Sequence, residues 1–196
     1  MGVFQEHFLR RHLVLEDFPI CVETGTNLGW STKTITKIFP EVYTIEIVPA
    51  LHDRAQRTFD CTCILGDSAT ELPKVISQLD RPTVFFLDAH WSGDSTTDWG
   101  ASSFSGYGVG TGMGEEQVPL LREIEAIVLF PYRCAVYIDD MDKFDESGAG
   151  LKDKGFKGED WSKVHLKDIM EKLKPRMERL WVEEQQMLVL LCEIRV

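Results

Sequence analysis

Five short apolar runs punctuate the chain: Pro19–Glu23, Val42–Ile47, Cys61–Leu65, Thr83–Asp88 and Cys134–Asp139. Each is rich in β-branched or aromatic residues and bounded by turn formers, the pattern of a strand. Between them the apolar spacing changes to that of a helix. Leu51, Ala55 and Phe59 recur every four residues, and Leu72, Val75, Ile76 and Leu79 share one helical face. Leu120, Ile124, Ile127 and Val128 repeat the pattern after Pro119. Strands that are apolar throughout, alternating with helices, predict a parallel sheet covered on both faces.

The rhythm changes after the fifth run. Residues 141–160 are polar and glycine-bearing, and residues 161–174 carry a helical stripe of Trp161, His165, Ile169 and Leu173. Glu178–Glu183 and Gln186–Ile194 read as two more strands, and the very short link between them implies an antiparallel hairpin. No repeat or linker divides the chain, so a single domain over 1–196 is expected. Residues 1–18 read as an N-terminal amphipathic helix, open to covering the core or a second subunit of a homodimer. Residues 91–114 combine Gly, Ser and Thr with Trp91, Trp99, Phe104 and Tyr107. A long loop with aromatics directly after a strand end reads as a lid over a ligand.

Charge narrows the partners. The formal net charge of −11 would repel phosphate backbones, which argues against nucleic acid. No apolar run reaches membrane-spanning length, and the N-terminus lacks a secretory apolar stretch, so a cytoplasmic protein is expected. Cys21, Cys61, Cys63, Cys134 and Cys192 lie in or beside strands expected to be buried, without any C-x-x-C pair, and read as reduced core thiols.

The polar residues at the strand ends carry the candidate chemistry. Residues 21–32, CVETGTNLGWST, end a strand in Glu23 and turn through Gly25 and Gly29 toward Ser31 and Thr32. In an open α/β sheet, ligands sit at such strand-to-helix turns. Neither a dinucleotide fingerprint nor a phosphate loop is present, and Glu23 would repel a phosphate while suiting an ammonium group. Glu46 ends the second strand, where an acid can accept from both ribose hydroxyls. Asp67 and Ser68 follow the third strand, placed to hold an adenine amino group, to cap the next helix, or both. The fourth and fifth strands end in FFLDAHW and VYIDDMD, bringing Asp88, Asp139 and Asp140 to one end of the sheet. Clustered acids there call for a positive partner, and a divalent cation such as magnesium has the right preference for oxygen. His90 would lie beside it as a candidate base.

With these motifs the chain resembles class I S-adenosylmethionine-dependent methyltransferases, and more narrowly the metal-dependent O-methyltransferases of the catechol and macrocin-like sugar types. Glu23-Thr-Gly25-Thr26-Asn-Leu-Gly29 is similar to the family's E-x-G-x-x-x-G turn, which holds the methionine portion of the cofactor. The resemblance implies a Rossmann-like, seven-stranded, mostly parallel α/β sheet with an antiparallel last strand and helices on both faces. It implies S-adenosylmethionine held by Glu23, Gly25, Thr26, Gly29, Ser31, Glu46, Asp67, Ser68 and Asp88. It implies magnesium, or another divalent cation, on Asp88, Asp139 and Asp140, with Asp88 and His90 as catalytic residues. Where the catechol type has a lysine three residues after its strand-four acid, this chain has Trp91, and His90 stands where the macrocin-like type has an aspartate.

The expected activity is therefore metal-dependent methyl transfer to a hydroxylated small molecule such as a sugar, a catechol or a natural-product hydroxyl. Acceptor choice would fall on residues 1–18, 91–114 and 141–160. Two alternatives stay open: N-methylation or other S-adenosylmethionine chemistry with structural aspartates, and a non-catalytic ligand- or metal-binding protein on this scaffold.

Overall fold

The computed structural model describes residues 4–91, 116–144, 160–183 and 186–194. The chain alternates α1 (Glu6–His12), β1 (Ile20–Thr24), α2 (Trp30–Ile38), β2 (Glu41–Glu46), α3 (Pro49–Thr58), β3 (Thr62–Leu65), α4 (Ser68–Ile76) and β4 (Thr83–Leu87). Then come α5 (Leu120–Ile127), β5 (Cys134–Ile138), α6 (Leu166–Leu173), β6 (Met177–Glu183) and β7 (Gln186–Leu191). The strands form one seven-stranded sheet in the order β3-β2-β1-β4-β5-β7-β6. Neighbours from β3 through β5 are parallel, and β7 runs antiparallel to both β5 and β6. This is the predicted Rossmann-like sheet with its antiparallel last strand.

Two cores, one on each face, follow from the alternation of side chains along the strands. Ile20, Val22, Phe85, Leu87, Val136 and Ile138 face α4, α5 and α6. Cys21, Val84, Phe86, Ala135 and Tyr137 face the other way, against Phe8 and Leu9 of α1 and Ile35 of α2. The N-terminal helix therefore covers this sheet. Gln5 N–H donates to Tyr137 Oη at 3.3 Å, and Tyr137 donates to Gln186, tying the segment down.

The structure departs from the sequence reading at three places. The helix expected from Trp161 begins at Leu166, because Asp160 Oδ1 accepts from Ser162 N and Gln117 Oε1 from Asp160 N, holding the backbone in a turn. Strand β7 stops at Leu191, where both neighbours run out: Leu191 pairs with Cys134 and Met177, each the first residue of its strand. Only Cys21 and Cys134 are buried core thiols; Cys61 and Cys63 sit half-buried on or beside edge strand β3, and Cys192 is exposed. The expected lid lies outside the described residues beyond Trp91, and the expected second loop, 141–160, lies outside them over 145–159. No helix among the described residues is long and apolar enough to cross a membrane.

Candidate functional site

The sheet order reverses between β1 and β4, whose connections leave toward opposite edges, and this opens a crevice at their carboxyl ends. Beyond β1 the backbone is left-handed at Gly25, Asn27 and Gly29, with φ of 83°, 48° and 79°. The two glycines also serve packing. A Cβ on Gly25 would lie 2.5 Å from the Asp88 carbonyl oxygen, and one on Gly29 would lie 2.3 Å from the Phe59 ring.

Behind the turn lies a polar network closed to solvent. Glu23 is fully buried, and its Oε2 accepts from Thr32 and Thr44 hydroxyls, each at 2.6 Å. Burial pushes its pKa up to about 7 against the pull of those hydroxyls. Thr26 pairs with Thr44 at 2.5 Å, and Ser31 Oγ accepts from Phe4 N at 3.1 Å. Glu23, Thr26, Gly29 and Ser31 are thus not in the wall of the crevice; they brace the turn that forms it.

The crevice encloses about 730 Å³, open solvent included, and Gly25, Glu46, Asp67, Ser68, Asp88 and His90 all line it. Glu46 is anchored by main chain on both oxygens, Oε2 accepting from Asn27 N at 2.7 Å and Oε1 from Val48 N at 2.8 Å. Burial raises its pKa, and these N–H groups oppose the rise. An ionised carboxylate so held still has lone pairs for further donors. Asp67 caps α4 by accepting from Ala69 N at 2.9 Å, and it also lines the crevice.

The acidic end forms because ladder hydrogen bonds continue past the strands: Asp88 N donates to Thr24 O, and Asp139 N to Leu87 O. Asp139 is buried, its Oδ1 accepting from Asp140 N at 2.9 Å, while Oδ2 has no hydrogen bond of acceptable geometry among the described residues, although the Gln186 side chain lies close enough to oppose the pKa rise. Burial and then the Asp140 charge push its pKa up to about 6. Asp88 is raised well above the carboxylate range by burial, then by Asp139 and Asp140. Asp140 adopts a left-handed conformation with φ of 60° and starts a 3-10 turn, Met141–Lys143.

That turn brings back a residue the sequence reading had not singled out. Lys143 Nζ lies 3.3 Å from Asp140 Oδ2 and 3.4 Å from His90 Nε2, with the Trp161 ring centroid 5.2 Å away. His90 Nδ1 is 3.7 Å from Asp88 Oδ1, and the imidazole lies 5.0 Å from the Trp161 ring. Burial first, then Lys143, lowers the His90 pKa to about 4, against the pull of Asp140. Trp161 was read as a helix-stripe residue; the spacing of Lys143 from Asp140 was the one local signal for the lysine, and nothing in the sequence announced its direction.

Asp88, His90 and Asp140 each offer one donor atom, all within 4.8 Å of one another. The set has metal-ligand chemistry, but it takes in His90 where Asp139 was expected. A divalent cation binds such atoms at about 2.0–2.6 Å. Two of the three already face the Lys143 ammonium, so a divalent ion does not fit this donor set with Lys143 in place.

No protein-family model matches the chain, and no curated protein matches it. Solved structures share its fold. An O-methyltransferase family protein from Burkholderia thailandensis superposes with a TM-score of 0.55 at 8% identity, covering 93% of this chain and 53% of that one. A protein from Sulfolobus solfataricus assigned to the type 11 methyltransferases gives a TM-score of 0.52 at 15% identity, covering 95% of this chain and 92% of that one. The fold is accordingly the Rossmann-like fold of methyltransferases. At these identities the likeness speaks to architecture.

Proposed function

We propose that this chain is an S-adenosylmethionine-dependent methyltransferase acting on a hydroxylated small molecule. The observation that carries the reading is Glu46: a carboxylate fixed by two main-chain donors at the end of β2, facing the crevice. Such an acid is suited to a ribose diol. Asp67 and Ser68 stand at the next strand end for an adenine amino group, and the left-handed turn from Gly25 offers backbone to the remainder of the cofactor. When bound, the cofactor supplies an electrophilic methyl group.

Asp88 lines the crevice at the acidic end and is assigned to accept the proton of the acceptor hydroxyl. His90, expected as the base, has Nε2 facing Lys143 and serves beside Asp88 to shape the acceptor end. The net charge of −11 supports a small acceptor over a nucleic acid. Magnesium has no part in this reading, because Lys143 already faces two of the donors. A second reading, methyl transfer to an amine, is favoured by the gathering of Asp88, Asp139 and Asp140 at this end of the sheet, whose negative charge would suit a cationic acceptor.

Calorimetric titration of S-adenosylhomocysteine tests the cofactor assignment. Micromolar binding is expected, weakened at least ~tenfold in Glu46→Ala. No binding to the wild-type protein would remove the methyltransferase reading. A panel of sugars, catechols and amines with labelled methyl donor then separates the oxygen and nitrogen acceptors.

A further inference from the structure

Three acids converge at the ends of β4 and β5, and burying such charge is costly unless a cation answers it. The cation on the spot is Lys143, itself only 8% exposed. Its position is built. The left-handed residue Asp140 turns the chain so that Lys143 N–H returns to Asp140 O at 2.9 Å, and the Trp161 ring lies against the ammonium.

His90 Nε2 stands 3.4 Å from that ammonium and 3.5 Å from Asp140 Oδ2. Because Asp140 Oδ2 already faces the ammonium, which only donates, Nε2 is assigned as an accepting nitrogen. The ring proton then sits on Nδ1, toward Asp88. Nε2 and Asp140 Oδ2 are among the donor atoms that His90 and Asp140 could offer a metal. A divalent ion on them would sit close against the ammonium, and two cations cannot share one pair of donors without strong repulsion.

We propose that Lys143 is the resident cation of this site: its ammonium holds the seat of a divalent metal and fixes the orientation of Asp140 and the tautomer of His90. Lys143 is on this account a positioning residue. Its bearing on catalysis rests on the methyl-transfer reading, whereas its occupation of the metal seat does not.

The test is Mn2+ binding to chelator-treated full-length protein, followed by electron paramagnetic resonance of the free ion. Wild-type protein is expected to show only weak, unsaturated binding. Lys143→Met should bind one Mn2+ at least ~tenfold more tightly, and Lys143→Met combined with Asp88→Asn should lose that gain. Tight one-site binding to the wild type overturns the proposal, and so does a folded Lys143→Met variant that gains no affinity. If Lys143→Met does not fold, the wild-type protein still decides. Nitrogen chemical shifts of His90 should report a protonated Nδ1 and a bare Nε2, unmoved by Mg2+; the opposite tautomer or a metal-dependent shift refutes the assignment. Titrating S-adenosylhomocysteine into the same samples reads the cofactor assignment separately.

Discussion

Gly25 and Asp88 meet backbone to backbone: a Cβ on the glycine would lie 2.5 Å from the carbonyl oxygen of the aspartate. The contact joins the end of β1 to the end of β4, the two strands where the sheet order reverses. It packs the turn that shapes the crevice directly against the acid that lines it.

Gly25→Ala should therefore be costly on two counts. The left-handed backbone alone costs about 1–2 kcal/mol for a residue with a Cβ, and the clash with main-chain atoms adds to it. Urea unfolding should show a loss above that range together with weakened S-adenosylhomocysteine binding. A loss under about 1 kcal/mol would mean that the turn yields easily.

Glu123 on α5 is 1% exposed, and neither carboxyl oxygen has a hydrogen-bond partner of acceptable geometry, although the hydroxyls of Ser68 and Thr24 lie close enough to oppose the shift. Burial raises its pKa from 4.5 to about 7. With the folded value above the unfolded one, its contribution to stability is complete below the unfolded pKa and is lost as pH rises through the folded one. Glu123→Gln should match the wild type near pH 4.5 and exceed it by roughly 2–3 kcal/mol near pH 8. Glu23 titrates in the same direction, so the variant flattens the pH dependence of stability without abolishing it. Identical slopes for variant and wild type, measured by urea unfolding at several pH values, would contradict this.

Arg176 is buried, and its guanidinium donates to the carbonyls of Ile127, Val128, Phe130, Tyr132 and Cys192, gathering the end of α5, the start of β5 and the end of β7. Lysine keeps the charge but not the planar fork. Arg176→Lys should cost at least about 2 kcal/mol, since several buried acceptors lose their donor. A thermal midpoint equal to that of the wild type would show that water or main chain replaces the fork.

The strand–helix alternation from β1 to β5 was legible because it is local: residues two or four apart share a face whatever the rest of the chain does. The hairpin of β6 and β7 was legible for the same reason, through its short link. The end of β7 and the start of α6 were not, because a strand stops where its neighbours stop, and α6 was delayed by a hydrogen bond that Asp160 N donates to the distant Gln117.

The candidate site divides along the same line. By itself the sequence determined that Gly25, Glu46, Asp67, Ser68 and Asp88 stand at strand ends, since in a parallel sheet every strand end reaches the same edge. Only the tertiary structure decided that these residues line the crevice while Glu23 braces it from behind, and that a lysine stands among the acids. Glu23 points into hydroxyls brought from α2 and β2, and Lys143 reaches His90 through a left-handed turn and the Trp161 ring. Those directions depend on contacts between residues far apart in the chain, and no local period encodes them.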